Sequence, residues 1–228
     1  SGHSVPMTIA GLMIIIIGFF GFLGACLLYP SPGVSLTSAD AGWLTIYGTP
    51  TTLSAFAFNT LMSFGGGIIG AYFITKDPFW MMSGALAGIF CAAAGLDMWY
   101  PGTAFALGFL GGVVIPYSHK MITSWGIDDA VGAVSVHGTC GLIGVLAVGV
   151  LLGGYPSAVD GIPAISFTGQ LVGAIAMGLL GFIPGYVVSW ILKQCGILRV
   201  SDAVQQVGVD SEVPVGAYPE TLQSRDYS

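Results

Sequence analysis

Residues 6–29 read PMTIAGLMIIIIGFFGFLGACLLY, without one charged side chain. About 20 consecutive apolar residues are needed to cross the hydrocarbon core of a bilayer. The stretch therefore predicts a transmembrane helix, and the same reading finds five more, at 51–74, 79–95, 103–122, 129–152 and 164–192. The third is short. The sixth is long enough to tilt, and Pro184 within it is expected to bend it. The fold class that follows is an all-α integral membrane protein, with a six-helix region over 1–197 and a polar tail over 198–228.

Composition supports this reading. Of 228 residues, 54% are hydrophobic and 7% charged, where a soluble domain carries roughly 25% charged residues. Mean hydropathy is +0.87. A soluble fold of this size could not hide so much apolar surface. Five Lys and Arg in all leave nothing with which to bind nucleic acid. Cys26, Cys91, Cys140 and Cys195 show no CxxC spacing, so neither a disulfide framework nor a metal set is expected from them. No basic stretch precedes the first apolar run, so no signal peptide is expected. The opening on Ser1 leads us to expect the natural start upstream, or trimmed.

The basic residues orient the spans. Lys76 and Lys120 end the second and fourth, and Lys193, Arg199 and Arg225 follow the sixth, all on one side. The opposite loops hold Asp40, Asp97 and Asp160 but no Lys or Arg. By the positive-inside rule both termini are cytoplasmic. The segment 30–50, with its Ser-Pro-Gly and Ser-Ala-Asp-Ala-Gly runs, reads as an ordered surface loop.

Many of the 36 glycines recur one helical turn apart: Gly66/Gly70, Gly84/Gly88, Gly108/Gly112, Gly169/Gly173 and Gly181/Gly185. Gly18, Gly21 and Gly24, and Gly138, Gly141 and Gly144, use a spacing of three. Small residues at such spacing let helix backbones approach closely where lipid gives no hydrophobic drive for association. These positions predict a tight bundle and say nothing of a substrate.

His137 is different. With the fifth helix starting at Asp129, it lies about 12 Å into the membrane at about 1.5 Å per residue. Ionisable groups at that depth usually line a polar path or pair with a partner. A neutral imidazole donates from one nitrogen and accepts at the other, so it can pass a small polar molecule along. An interhelical hydrogen bond is the plainer alternative. No other His, Asp or Glu stands three or four residues away, so no metal site is expected. Asp128 and Asp129 stand at the start of this helix, where a carboxylate accepts orphan N–H groups. At least one is expected to cap. His3 and His119 fall at or beyond span ends and are expected in solvent. No Ser/His or paired-carboxylate arrangement in the spans suggests an enzyme, and no paired Asn-Pro-Ala motifs suggest an aquaporin.

The segment 127–141, IDDAVGAVSVHGTCG, resembles the paired aspartates, pore histidine and small-residue run of the ammonium transporters (the Amt/Rh/methylammonium permease family). Gly18-Phe19-Phe20-Gly21-Phe22 is similar to that family's Gly-Trp-Phe-Gly-Phe stretch. Ser83–Gly88, and the tail pieces Leu198–Ser201, Gly208–Asp210 and Gly216–Tyr218, match further motifs in order. The family fold has about eleven spans in two inverted five-helix repeats and a last helix. The resemblance covers spans six to eleven, the second repeat with the last long helix. It implies that the second pore histidine and the first repeat's aromatic and acidic residues lie elsewhere.

The resemblance assigns His137 as one of the twin histidines and Phe22 as an outer gate for a cation. Phe19 stands where the family has Trp, Leu23 where it has Asn, Cys26 where it has Ser, Ala93 where it has Thr and Gly132 where it has Asp. A thiol is a weaker acceptor than a hydroxyl, so recruitment at Cys26 is expected to be weaker. The implied function is part of an ammonium/ammonia channel-like transporter in the plasma membrane, completed by first-half helices. The alternative is a half-length, non-transporting subunit with a structural or regulatory role among other membrane subunits. The resemblance further implies a trimer, no cofactor, and a tail able to meet a cytoplasmic regulatory protein.

Overall fold

A computed structural model describes residues 4–27, 40–44, 50–156 and 163–207. Six of its helices are long and apolar enough to cross a membrane, as the apolar runs require. Helix α1 covers Val5–Leu27. Part of the expected surface loop lies outside the described residues. The remainder forms a short antiparallel pair, β1 (Asp40–Leu44) with β2 (Pro50–Thr52), whose register is interrupted between Asp40 and Leu44.

Side-chain caps set the next boundaries. The Thr52 hydroxyl accepts the Ala55 N–H at 3.1 Å and starts α2 (Leu53–Thr75). At its far end Lys76 takes a left-handed conformation, φ 54°. Asp77 then caps α3 (Pro78–Ala92), its Oδ1 accepting Phe79 and Trp80 N–H at 2.8 and 3.3 Å. Pro78 suits the first helical position because its missing N–H would be unpaired there anyway. Pro101 likewise opens α4 (Pro101–Ser124).

The shortness expected of the third span has a visible cause. After Ala92 the chain tightens into a 3₁₀ turn, Ala93–Gly95, and Asn59 of α2 holds the loop beyond it. The Asn59 amide donates to Leu96 O at 2.8 Å and Trp99 O at 2.9 Å. Trp99, wholly buried, donates its indole N–H back to Ala92 O at 2.8 Å. Buried backbone carbonyls with no water at hand need such partners.

Helices α2, α3 and α4 form the close-packed centre. A methyl group at Gly67 would run into the backbone of Gly84 and Gly88, and one at Gly112 into Gly67 and Ala71. At Gly88 it would lie 2.5 Å from Ser63 O. The pairs Gly66/Gly70, Gly84/Gly88 and Gly108/Gly112 thus do what their spacing predicts. The others differ. Gly18, Gly21, Gly141, Gly173, Gly181 and Gly185 face open space in this chain, and only Gly144 of its group meets foreign backbone, Phe90 O at 2.6 Å.

The fifth span begins as a π-helical turn, Val134–Thr139, and continues as α5 (Cys140–Leu151). Then follow α6 (Phe167–Gln194) and the short α7 (Asp202–Val207). Helix α6 runs on through Pro184 and buries none of its residues. Residues 1–175 form one compact unit and 176–228 a second.

Two substitutions separate packing glycines from idle ones. Gly67→Ala should destabilise the detergent-solubilised chain by about 1–3 kcal/mol through overpacking. Gly181→Ala should be neutral or stabilising by up to about 1 kcal/mol, because it only gains helix propensity. Thermal unfolding followed by circular dichroism checks both.

Candidate functional site

The site is built on the entry to the fifth span. A helix starting at Asp129 is not what forms. Gly132 takes φ +72°, a left-handed conformation that breaks a right-handed helix and suits a residue without Cβ. The chain turns there, with Gly132 N–H bonded to Asp129 O at 2.9 Å, and helix begins only at Val134. The Asp129 carboxylate, 4% exposed, reaches across this turn. Its Oδ1 accepts Val134 N–H at 2.9 Å, and its Oδ2 accepts Ser135 N–H at 3.2 Å and the Ser135 hydroxyl at 2.9 Å. Capping by one aspartate was expected, and Asp129 does it from five residues upstream. Asp128 is exposed and makes no side-chain hydrogen bond among the described residues.

His119 corrects the expectation of a solvated side chain. Helix α4 extends to Ser124, which sets His119 more than a turn inside it. Its side chain is 24% exposed, with Nδ1 3.7 Å from Asp129 Oδ2 and its ring 4.8 Å from that of Trp80.

His137 falls in the first turn of its own helix rather than eight residues in. Its depth is set by what it touches. The imidazole lies 4.3 Å from the ring of Phe90 at 65°. Phe90 stands twelve residues after Pro78 in α3, about 18 Å along that helix at about 1.5 Å per residue. His137 is therefore deep because the fifth helix starts inside the layer spanned by α3. The Ser118 and Thr139 hydroxyls bond at 2.7 Å and tie this start to α4.

From His137 a file of rings runs to the far end of α1. Phe90 meets Phe19 edge-on at 5.5 Å, and Phe19 meets Phe22 edge-on at 5.9 Å. Phe22 is 67% exposed. Sequence reasoning picked Phe19, Phe22 and His137 but not Phe90, the link between them. Its one signal is being the sole aromatic in the small-residue run 83–95, SGALAGIFCAAAG. Cys26 lies one turn beyond Phe22, exposed, its thiol 3.7 Å from the Phe22 carbonyl in its own helix. On the other side of His137 opens a cleft of about 330 Å³, lined by Thr8, Leu12, Phe79, Ser83, Val136 and others, mostly apolar.

Chemically, a file of rings ending on an imidazole is suited to a small cation or its conjugate base. Ring faces attract a cation that is shedding water, and an imidazole can accept its proton and return it. His137 and Phe22 both lie on an uncovered face of the chain.

Comparison with known proteins places the chain in a family. A family profile described as Ammonium Transporter Family matches residues 1–213. Ammonium transporter Amt1 of Methanocaldococcus jannaschii is 30% identical over 214 residues, covering 93% of this chain and 50% of that protein. Ammonium transporter Amt2 of the same organism is 31% identical over 222 residues, covering 96% and 48%. A solved structure titled Sensor Amt Protein superposes with a TM-score of 0.70 at 26% identity, covering 91% of this chain and 49% of that one. The chain spans about half the length of the curated relatives it matches.

The cap gives a stability prediction. Asp129→Asn should cost about 1.5–3 kcal/mol, the range for hydrogen bonds to a charged group, as measured by thermal unfolding of the detergent-solubilised chain.

Proposed function

As the chain belongs to the ammonium transporter family, we propose that it supplies one half of the wall of an ammonium/ammonia path. The file Phe22–Phe19–Phe90–His137 carries this reading. Ammonium arriving at the Phe22 end exchanges water for aromatic faces. Cation–π attraction is worth about 0.5–2 kcal/mol there, more as water leaves. That offsets only part of the dehydration cost, so shedding the proton lets neutral ammonia continue. His137 takes part in that proton's transfer and return, and ammonia passes into the apolar cleft beyond it. Cys26, with a thiol in place of a hydroxyl, gives little help in recruiting the cation.

The remaining features of the reading fit this role. Both termini are cytoplasmic in a plasma membrane, because the basic residues lie on one side. The facing wall comes from first-half helices, which the uncovered His137 and Phe22 await. The assembly is a trimer, and residues 198–228 form a cytoplasmic segment that meets a neighbouring subunit or a regulatory protein. No enzyme chemistry is assigned.

Methylammonium uptake by the assembled transporter in cells tests the proposal. His137→Ala should abolish uptake. Phe90→Leu should reduce it several-fold, since an aromatic pair is worth about 0.5–1.5 kcal/mol beyond its burial. Undiminished uptake by His137→Ala would remove the histidine from the path. An assembly that carries none even as wild type would support a non-transporting subunit instead.

A further inference from the structure

The end of α6, with the first two residues of the tail, holds a feature that the conduction path itself does not use. Helix α6 is 28 residues long, about 42 Å at about 1.5 Å per residue. That matches the headgroup-to-headgroup thickness of a bilayer, about 40–45 Å, rather than the ~30 Å hydrocarbon core. Lys193, its penultimate residue, thus stands at the level of lipid phosphates.

The chain does not continue straight from there. Gly196 takes φ +72°, and its N–H bonds to Lys193 O at 3.1 Å while Ile197 N–H bonds to Leu192 O at 3.1 Å. This paired closure satisfies the last carbonyls with backbone donors and leaves the lysine ammonium free of that duty. The reversal folds Leu198 and Arg199 back beside Lys193. Together with Gly196 they line an open depression of about 280 Å³. Small-molecule sites begin near about 300 Å³, so the space suits a headgroup rather than a whole lipid.

Neither Lys193 nor Arg199 has an acidic partner within reach among the described residues; Asp202, the nearest acid in sequence, makes no ion pair with them. Two cations without an acidic partner among the described residues, with Ile197 69% and Leu198 40% exposed as an apolar lip, favour one class of occupant. We propose that Lys193 and Arg199 form a binding site for the headgroup phosphate of an anionic phospholipid. Arg offers the planar fork that pairs two phosphate oxygens, and Lys a point charge beside it. The acyl chains lie along the exposed apolar face of α6.

The test uses the full chain, purified in mild detergent and given phosphatidylglycerol or phosphatidylcholine, with bound lipid counted by native mass spectrometry. Wild type should retain phosphatidylglycerol at least about tenfold better than phosphatidylcholine, a preference of about 1.4 kcal/mol, and lose it at high salt. The double variant K193Q/R199Q should lose that preference, whereas K193R/R199K should keep most of it. K76Q/K120Q, which removes the same charge elsewhere, should behave as wild type. Equal loss in K76Q/K120Q would assign the effect to diffuse surface charge and overturn the site. Undiminished retention by K193Q/R199Q, no lipid preference in wild type, or ready displacement by millimolar inorganic phosphate would overturn it too. The last result would make the depression a site for free phosphate.

Discussion

A helix that begins inside a membrane must dispose of its first N–H groups without water, and in this chain the Asp129 carboxylate accepts two of them. That constraint places His137. Were the fifth helix to start at the membrane surface, His137 would sit where the helix count put it. Instead the turn at Gly132 consumes chain, the carboxylate seals the orphan donors, and His137 emerges opposite Phe90. Trp80 and His119 close around the same carboxylate. A hydrogen-bonding problem thereby becomes the geometry of a site.

Around that point the chain divides its surface sharply. Helices α2, α3 and α4 approach until backbone touches backbone, which only glycine permits at Gly67 and Gly112. Helices α1 and α6, in contrast, leave Ile14, Ile17, Phe182 and Leu180 uncovered. The aromatic file and the cleft lie along an open side as well.

Much of this was legible in the sequence, for identifiable reasons. Uncharged apolar runs announce spans because lipid tolerates little else. His137 drew notice because ionisable groups in such runs are costly. Three glycine pairs were read correctly, yet Gly181/Gly185 have the same spacing and meet nothing. Spacing states what a helix can pack against and not whether a partner comes. Phe90 was missed since aromatic residues in apolar helices carry no local mark of function; its meaning comes from three helices meeting. The start of the fifth helix was misplaced because Asp129 caps from five residues away, a distance at which no short motif advertises the bond. His119 was misjudged through Trp80, a neighbour far off in sequence.

The π-turn at Val134–Thr139 has a further consequence. Its Cys140 N–H reaches back five residues to Ser135 O rather than four, so the turn holds more chain than an α-turn does. Each residue of an α-helix accounts for about 100° of rotation. The turn is thus a register device, like one extra tooth in a gear. A deletion of one residue here would leave the apolar run long enough to span, yet the residues ahead of the loss would swing by about 100° away from the ring of Phe90. The length of this turn, more than the identity of its neighbours, therefore sets which ring His137 faces.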